Sequence, residues 1–276
     1  MSTRQIDMLL FPTKNMTDRS RVSSRCLHRL KILFHAGYVR RTEQAQTLSD
    51  GRKPLVYSLD GPGARYVADL TKKTVKELKW DHLGLEVGSL FLDHLLLTND
   101  IRIAVMLAAS GQEHSLLEWQ DENTLRRVHQ NEKITIYNDK KEQQEVVLIP
   151  DGYFVVKVTK NVEQPREYHQ FLEIDRATST IQGSDIGGRD WARKVQAYIA
   201  YHNSKGYIER YHTTSMRVLT ITTTEARMVH LKEVTEKAGG RNRFWFTTFD
   251  KISADTIFSA PIWQIAQRDG YASYLE

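Results

Sequence analysis

The chain has 276 residues, a hydrophobic share of 40% and a formal net charge of +5 at pH 7. This composition fits one large or two ordinary domains and excludes global disorder. The single cysteine, Cys26, excludes an internal disulfide framework and a cysteine-rich zinc site. The sequence shows neither a secretory signal nor an uncharged apolar run of membrane-spanning length. We therefore expect a cytoplasmic protein with no membrane partner.

The charge is distributed unevenly along the chain. Residues 1–82 contain 16 Lys and Arg against 8 Asp and Glu, a net charge of +8, whereas residues 83–276 carry a net charge of −3. A basic segment followed by a mildly acidic one predicts a DNA-binding domain over residues 1–82 and a separate second domain over residues 83–276. The alternative is an ordinary solvated basic surface.

Two helices are predicted at the start of the chain. The first runs over residues 2–10, with Ser2 as its N-cap, and the second over residues 19–36, with Thr17 or Asp18 as its N-cap. Gly37 follows in the position that a left-handed C-terminal cap requires. One side of the second helix is apolar and would pack in the core: Val22, Cys26, Leu30 and Leu33. The opposite side carries the residues that we expect to contact DNA: Arg21, Ser24, Arg25 and His28.

A basic hairpin is predicted after these helices. Residues 38–42 and 54–59 favour strands, and Asp50-Gly51 is typical of the turn between them. A further helix follows over residues 60–70. The hairpin's basic residues would meet DNA phosphates: Arg40, Arg41, Arg52 and Lys53. Together these elements predict a winged helix-turn-helix that binds double-stranded DNA.

Two predicted strands of the second domain carry acidic residues. Residues 146–156 contain Pro150-Asp151, and residues 171–176 contain Glu173 and Asp175. Side chains alternate along a strand, so Glu173 and Asp175 would share one face. Carboxylates brought together raise one another's pKa, and a divalent cation with hard oxygen ligands, Mg²⁺ or Mn²⁺, removes that penalty. The pair of strands therefore predicts a metal site.

The remaining elements complete an α+β or α/β domain. A helix over residues 83–97 contains Glu86, and a later helix contains Lys194 and Tyr198, which share a face because they are four residues apart. The other predicted elements are strands over 116–119 and 134–137, a charged turn over 139–145, a flexible loop over 183–188, a strand over 216–222, a helix over 224–237 and a strand over 243–249. The core order is helix, three strands, helix, strand.

This order, with Pro-Asp and Glu-x-Asp on successive strands, resembles the core of the PD-(D/E)xK nucleases, a restriction-endonuclease-like αβββαβ fold. The resemblance implies that Asp151 and Glu173 hold the metal, that Glu86 contributes a further acid, and that a lysine orients the attacking water. The lysine expected two residues after Glu173 is replaced by Asp175, so Lys194 would be the substitute. Tyr198 occupies the tyrosine position of the RecB-like helix motif. Asp175 is either a third metal ligand or, paired with Arg176, structural.

Several short sequence segments along the chain resemble the replication-relaxation family of plasmid and mobile-element proteins. They are Arg52-Lys53-Pro54-Leu55-Val56-Tyr57, Phe91-Leu92-Asp93-His94, Pro150-Asp151-Gly152-Tyr153-Phe154, Phe171-Leu172-Glu173-Ile174-Asp175-Arg176, Lys194-Val195-x-x-Tyr198 and Arg243-Phe244-Trp245-Phe246-Thr247-Thr248. The resemblance implies a role in plasmid replication and in relaxation of plasmid DNA, with other replication proteins as further partners.

Two classes of function follow from these patterns. The first is a Mg²⁺-dependent DNA endonuclease or nickase that a winged helix delivers to DNA, and Asp151, Glu173 and Lys194 slightly favour it. The second is a non-catalytic DNA-binding replication or regulatory factor with a degenerate nuclease-like domain, which the missing lysine favours. A relaxase that attacks DNA with Tyr198 or Tyr201 is less favoured, because the histidines show no metal-binding spacing.

Overall fold

The computed structural model describes residues 1–11, 22–44, 53–78, 80, 89–111, 113–129, 132–137, 142–159, 164–177 and 186–274. The protein is a mixed α+β chain that divides into two compact units, Met1–Ile103 and Ala104–Glu276. Over the described ranges, no helix is both long enough and apolar enough to cross a membrane.

The first unit consists mainly of helices and one hairpin. Its elements in chain order are α1 (Thr3–Leu10), α2 (Ser24–His35), β1 (Val39–Thr42), β2 (Val56–Leu59), α3 (Gly61–Thr71) and α4 (Ser89–Ala108), whose last residues, from Ala104, belong to the second unit.

The predicted N-cap of the first helix is confirmed. The Ser2 hydroxyl accepts a hydrogen bond from the backbone N–H of Gln5, and the Gln5 side chain accepts one from the backbone N–H of Ser2. This reciprocal capping box satisfies two N–H groups that a helix start leaves unpaired. The Gln5 amide also donates to the Leu96 carbonyl and to the Asp100 carboxylate on α4. These hydrogen bonds therefore connect the buried polar side of α1 to α4.

The second helix begins later than the sequence predicted. It starts at Ser24 instead of near Arg19, because Ser23 is the N-cap and its hydroxyl accepts from the backbone N–H of Cys26. The Ser23 hydroxyl also donates to Asp7 on α1. Residues 11–23 separate the two helices, so the connection is longer than the short turn that we predicted. Thr17 and Asp18 lie outside the described residues.

The apolar side of α2 is narrower than predicted. Cys26 and Leu30 are buried, as the helical wheel indicates, but Leu33 is 40% exposed and Val22 precedes the helix. The late helix start removes Val22 from the helical stripe. Gly37 has a φ of +73°, a left-handed conformation that ends the helix as predicted.

The hairpin and the following helix are confirmed. β1 pairs antiparallel with β2, with Val39 opposite Leu59, while the predicted turn at Asp50-Gly51 lies outside the described residues. Ser2 forms an antiparallel bridge with Val56, which places the chain start against β2. α3 begins after Asp60, whose carboxylate accepts from the backbone N–H of Gly61.

The apolar helix α4 is longer than predicted. We expected it to end at residue 97, but it continues to Ala108. Ile101 and Val105 are four residues apart and buried, so the helical period of apolar residues persists through the polar stretch before them. Asp100 is held inside the helix by the Gln5 amide, and burial raises the pKa of its carboxyl group.

The second unit is built on a six-stranded mixed sheet. Its elements in chain order are β3 (His114–Asp121), α5 (Glu122–His129), β4 (Ile134–Tyr137), β5 (Gln143–Val146), β6 (Gly152–Val158), β7 (Arg166–Ile174), α6 (Ile186–Asn203), α7 (Lys205–Tyr211), β8 (Arg217–Thr222), α8 (Glu225–Lys237), β9 (Phe244–Thr248), a 3₁₀-helix (Phe249–Lys251) and β10 (Gln264–Ile265). The strand order is β10-β9-β8-β7-β6-β3. β6 runs antiparallel to its neighbours β3 and β7, whereas β7, β8 and β9 are parallel to one another.

The predicted strand over residues 146–156 is wrong as a single element. Val146 ends β5, which pairs with β4, and β6 begins only at Gly152. Pro150 lies between them and has no N–H to donate to a sheet. Residues 143–145, which we predicted to be in a turn, belong to β5. Asp151 therefore lies immediately before β6, where the chain enters the sheet.

A hydrophobic cluster covers one face of the sheet, and residues of the opposite face, such as Leu172 and Leu219, are buried as well. Phe171, Val218 and Phe246 from the strands pack with Val195 and Tyr198 of α6. The short helices α5 and α7 were not predicted, because they have only 8 and 7 residues, too few for a clear periodic signal. Residues 186–188 of the predicted loop form the first turn of α6, and residues 183–185 lie outside the described residues.

Candidate active site

The centre of the candidate site is Glu173, the penultimate residue of β7, which is 3% exposed. The Lys194 ammonium group donates to Glu173 Oε2, and the Tyr198 hydroxyl donates to Glu173 Oε1. Lys194 and Tyr198 lie one turn apart on α6, so one helix face presents both donors to the strand. Both carboxylate oxygens of a buried acid are thus engaged by neighbours that the sequence analysis had selected.

Burial controls the protonation of this cluster. It raises the pKa of Glu173 to about 7, against the lowering effect of Lys194 and with a further upward contribution from Asp151. Burial alone would lower the pKa of Lys194, but the neighbouring carboxylates of Glu173 and Asp151 produce a net upward shift. Burial and Glu173 also raise the pKa of Tyr198 well above its usual value. Lys194 therefore remains charged, and Glu173 is a carboxylate whose ionisation depends on nearby cations.

Asp151 lies beside Glu173 across the antiparallel pair of β6 and β7. Gly152 is opposite Leu172 in the register, so the next positions bring Asp151 and Glu173 together. The Asp151 backbone N–H donates to the Leu172 carbonyl at 3.0 Å, and the Asp151 carboxylate accepts from the Ile174 N–H at 2.7 Å. These bonds fix the orientation of Asp151 at the end of the strand pair.

Glu122 is an acidic residue of the site that the sequence analysis missed. It is the first residue of α5, and one of its carboxylate oxygens lies within 4.8 Å of a carboxylate oxygen of Asp151. Its charge also contributes to the raised pKa of Lys194. The available signal was the position of Glu122 directly after a strand, but we predicted that strand to end at residue 119 rather than at Asp121.

Asp175 has a different environment. Both of its carboxylate oxygens accept hydrogen bonds from the Arg227 guanidinium at 2.9 Å, and the Thr222 hydroxyl donates to one of them at 2.5 Å. Arg227 is on α8 and is 8% exposed. Arg176, the partner that we expected for Asp175, is half-buried. The bidentate contact with Arg227 joins the end of β7 to α8 and favours the structural role for Asp175.

The predicted DNA-contacting residues of α2 lie at its surface. Ser24, Arg25 and His28 are exposed in the first turns of the helix. Arg21, Arg52 and the predicted acid Glu86 lie outside the described residues.

The basic residues of the hairpin differ in their contacts. Arg40 forms an ion pair with Asp60 at 3.1 Å, and the Arg41 guanidinium lies over the Phe34 ring, 4.3 Å from its centroid. Lys53 is half-buried. Arg41 is exposed, whereas Asp60 partly neutralises Arg40.

The two tyrosines considered as nucleophiles are both buried. Tyr198 and Tyr201 are each 1% exposed, and the Tyr201 hydroxyl donates to Glu132 at 3.3 Å. Burial raises the pKa of Tyr201 to a value far above neutrality. A nucleophilic phenol needs both access to the phosphodiester and a base that can ionise it. Neither tyrosine meets the first requirement, which argues against a tyrosine relaxase that uses these residues.

The structure thus defines a mixed α+β protein with a buried acid and lysine cluster at the end of its central strands. A family model described as replication-relaxation matches residues 1–218. The chain belongs to the replication-relaxation family, which indicates a role in plasmid or mobile-element replication or relaxation. No curated protein and no solved structure matches the chain.

Proposed function

We propose that this protein binds double-stranded DNA through its first unit and that its second unit is a Mg²⁺-dependent DNA endonuclease or nickase. The observation that carries the proposal is the contact of Glu173 with Lys194 next to Asp151. Burying several ionisable groups together costs free energy, so such a cluster at the edge of a fold is typical of a functional site.

The topology of the second unit supports a nuclease-like core. The order β3-β6-β7-β8 contains an antiparallel meander followed by a parallel strand. α6 forms the crossover between β7 and β8, and α4 precedes the meander. This order resembles the αβββαβ order of the PD-(D/E)xK nucleases, with α5, β4 and β5 inserted between the first two strands. Glu173 on β7, Asp151 directly before β6 and Lys194 on α6 support this resemblance, although Asp175 stands where the motif has its lysine.

The side chains present fit a divalent cation. Asp151, Glu173 and Glu122 offer hard carboxylate oxygens, which suit Mg²⁺ or Mn²⁺. Burial and the neighbouring Asp151 raise the pKa of Glu173 despite the lowering effect of Lys194, so a bound cation would stabilise its ionised form. A bound Mg²⁺ supplies a Lewis acid for the scissile phosphate and lowers the pKa of a coordinated water. Asp175 is excluded from this set in our proposal, because the bidentate contact with the buried Arg227 guanidinium already compensates its charge, whereas the pKa of Glu173 stays raised despite its contact with Lys194.

The other roles in the proposed reaction would belong to side chains of the protein itself. Lys194 is 30% exposed, and we assign its ammonium group the contact with the phosphate. A positive charge fixed beside the reacting phosphate stabilises the charge that develops in the transition state. Tyr198 holds Glu173 in position through its hydroxyl group. We therefore assign ligand roles to Asp151, Glu173 and Glu122, a catalytic role to Lys194 and a positioning role to Tyr198.

The first unit supports delivery to DNA. Helix α2 presents Arg25 and His28 to solvent, and the β1–β2 hairpin follows it as the wing of a winged helix would. The bridge between Ser2 and Val56 adds a third strand-like segment to this hairpin. Exposed arginines bind phosphates through charge-assisted hydrogen bonds.

A second candidate is a DNA-binding replication or regulatory factor with a degenerate nuclease-like domain. The observation that favours it is that Lys194 and Tyr198 already engage both oxygens of Glu173, an arrangement that also serves a purely structural ion pair. The presence of Asp175 at the position where the PD-(D/E)xK motif has its lysine also favours this second candidate.

Incubation of supercoiled plasmid with the full-length protein distinguishes the two candidates. The nuclease proposal predicts open-circular or linear DNA in Mg²⁺ or Mn²⁺ and none in EDTA. Calorimetric titration with either ion should show binding that Asp151→Asn weakens. Tight plasmid binding without nicking in either metal, and without heat of metal binding even when DNA is present, would decide for the degenerate factor.

A further inference from the structure

A basic cleft lies at the end of the second unit's sheet where the parallel strands begin, and several of its lining residues are on the sheet face opposite Glu173. It has a volume of about 310 Å³, and its lining includes Arg217, Arg243, Arg268, Tyr168, Trp245 and Asn242. Alternation along the strands places Tyr168, Arg217 and Trp245 on one sheet face and Glu173 on the other. The cleft is at the ends where the parallel strands begin, whereas Glu173 is near the end of its strand. It is therefore separate from the candidate active site.

The described lining of this cleft is basic. Three arginines line it, and no carboxylate is among its described lining residues. Arg243 and Arg268 are exposed, so they can turn toward a ligand without a cost in burial. Arginines placed together without acids repel one another, and an anion removes that repulsion.

Arg217 is held in place before any ligand arrives. Its guanidinium lies 3.7 Å from the centroid of the Trp245 ring and 5.2 Å from that of Tyr168, and it donates to the Tyr274 carbonyl at 2.8 Å. Stacking and this hydrogen bond restrict the guanidinium, so little side-chain entropy is lost when it binds a partner. One donor faces Tyr274, which leaves other N–H groups of the planar fork for an acceptor. Burial lowers the pKa of Arg217, which an anion in the cleft would counteract.

The size of the cleft selects the ligand. Small-molecule sites have volumes of roughly 300–1,000 Å³, so this cleft is at the lower end of that range. A duplex, which is far wider, cannot enter it, but one nucleotide can. Arginine forks match the oxygens of a phosphate group, and a terminal phosphate carries more negative charge than a phosphodiester.

We propose that this cleft binds the phosphate monoester of a single nucleotide, either free or at the 5′ end of a DNA strand. Arg217 would form the fixed part of the site, and Arg243 and Arg268 would close on the phosphate from its open side. The proposal does not depend on nuclease activity, because none of the cleft residues belongs to the Asp151 and Glu173 site.

Calorimetry on the full-length protein tests this proposal with four probes. They are inorganic phosphate, deoxyadenosine monophosphate, a short single-stranded oligonucleotide with a 5′-phosphate and the same oligonucleotide with a 5′-hydroxyl. We expect the 5′-phosphate to increase oligonucleotide affinity at least tenfold. Deoxyadenosine monophosphate bound as tightly as the phosphorylated oligonucleotide identifies a free nucleotide as the ligand, and weaker binding identifies the strand end.

Variants test whether phosphate binding depends on the arginines of the cleft or only on the positive charge of the surface. Arg243→Ala with Arg268→Ala should weaken phosphate-dependent binding at least tenfold, and Arg217→Lys should weaken it too because lysine cannot reproduce the stacked fork. Arg241→Ala is the matched control, since Arg241 is an exposed arginine nearby that does not line the cleft. Asp151→Asn should bind the probes normally even if it abolishes nicking. Equal affinity for the two oligonucleotides, or an equal loss in Arg241→Ala and in the double variant, would overturn the proposal.

Discussion

The Lys194 ammonium group on α6 donates a hydrogen bond to the Glu173 carboxylate on β7, and this contact joins the crossover helix to the central strand. Glu173 is almost fully buried, whereas the Lys194 side chain is 30% exposed. The exposed part of this ion pair therefore belongs to the lysine, as our proposal for Lys194 requires.

Lys194→Ala should abolish most nicking while leaving metal affinity largely intact. A charged lysine has no lone pair to offer a metal, so its loss removes charge stabilisation but not a ligand. Nicking rates and calorimetric Mn²⁺ affinity measure the two effects separately. The variant also leaves Glu173 buried without its cation, which should reduce stability by less than the roughly 3–5 kcal/mol typical of breaking a fully buried pair. Weak metal binding with unchanged nicking would contradict the assigned role.

Asp151→Asn should reduce metal-dependent nicking by about a hundredfold or more, a loss typical of removing one electrostatic contributor to a transition state. The substitution keeps the volume of the side chain and an oxygen for the Ile174 N–H, so the fold should survive. Asp255→Asn is the matched control, because Asp255 is an exposed acid in the same unit. Nicking rates of the three proteins on supercoiled plasmid are compared in Mg²⁺. A loss in the Asp255 variant equal to that in Asp151→Asn would exclude a specific role for Asp151.

Asp175→Ala should lower stability and leave the chemistry of the site in place. Its carboxylate accepts two hydrogen bonds from the buried Arg227 guanidinium, so the substitution removes both of these charge-assisted bonds. A double-mutant cycle of Asp175→Ala and Arg227→Met, followed by urea unfolding, should reveal a coupling energy of about 0.5–3 kcal/mol. Nicking by Asp175→Ala, measured at a temperature where the variant is folded, should persist. A loss of metal affinity equal to that of Glu173→Ala would make Asp175 a ligand instead.

Local patterns in the sequence predicted the elements on which the proposed site is built. The acids on successive strands and the one-turn spacing of Lys194 and Tyr198 are short-range signals, and each lies on the predicted kind of element or directly beside it. The sequence did not reveal Arg227 as the partner of Asp175 or Glu122 as the neighbour of Asp151, because those contacts depend on how distant elements pack. The late start of α2 had a local cause, the cap at Ser23, but Thr17 and Asp18 offered equally good capping chemistry.

Two buried histidines should make the second unit less stable as the pH falls. His129 Nε2 lies 3.0 Å from the Tyr211 hydroxyl, and His169 Nδ1 lies 2.6 Å from the Tyr153 hydroxyl. Burial lowers the pKa of both histidines from the usual value of 6.5. Below pH 6.5 the unfolded chain therefore binds more protons, and stability is lost as the pH falls through the lower folded pKa values.

The change of unfolding free energy with pH tests this prediction, measured by urea titration at pH 7.5, 6 and 5. Glu173 acts in the opposite direction, since its pKa is raised to about 7 and its contribution to stability is lost as the pH rises through that value. The histidine effect is therefore read from the difference between wild type and His129→Gln or His169→Gln, which should lose less stability at pH 5. Parallel pH curves for wild type and both variants would refute it.

The first unit should carry most of the affinity for duplex DNA. Arg25 and His28 are exposed on α2, and residues 1–82 carry the net positive charge of the chain. Changing Arg21, Arg25 and His28 together to Ala in the full-length protein should weaken duplex binding without unfolding the unit, because Cys26 and Leu30 provide the buried side of that helix.

Each phosphate contact contributes about 0.9 to the slope of log affinity against log salt, so the loss of two arginine contacts should reduce that slope by about two. Fluorescence anisotropy with a plasmid-derived duplex measures the affinity and the slope. A salt range of about 50 to 200 mM is suitable, because DNA affinity changes strongly over it. Lys237→Ala, which removes an exposed charge from α8 in the second unit, is the control and should leave affinity and slope nearly unchanged. An unchanged slope in the triple variant, or an equal loss in Lys237→Ala, would move the duplex-binding surface away from α2.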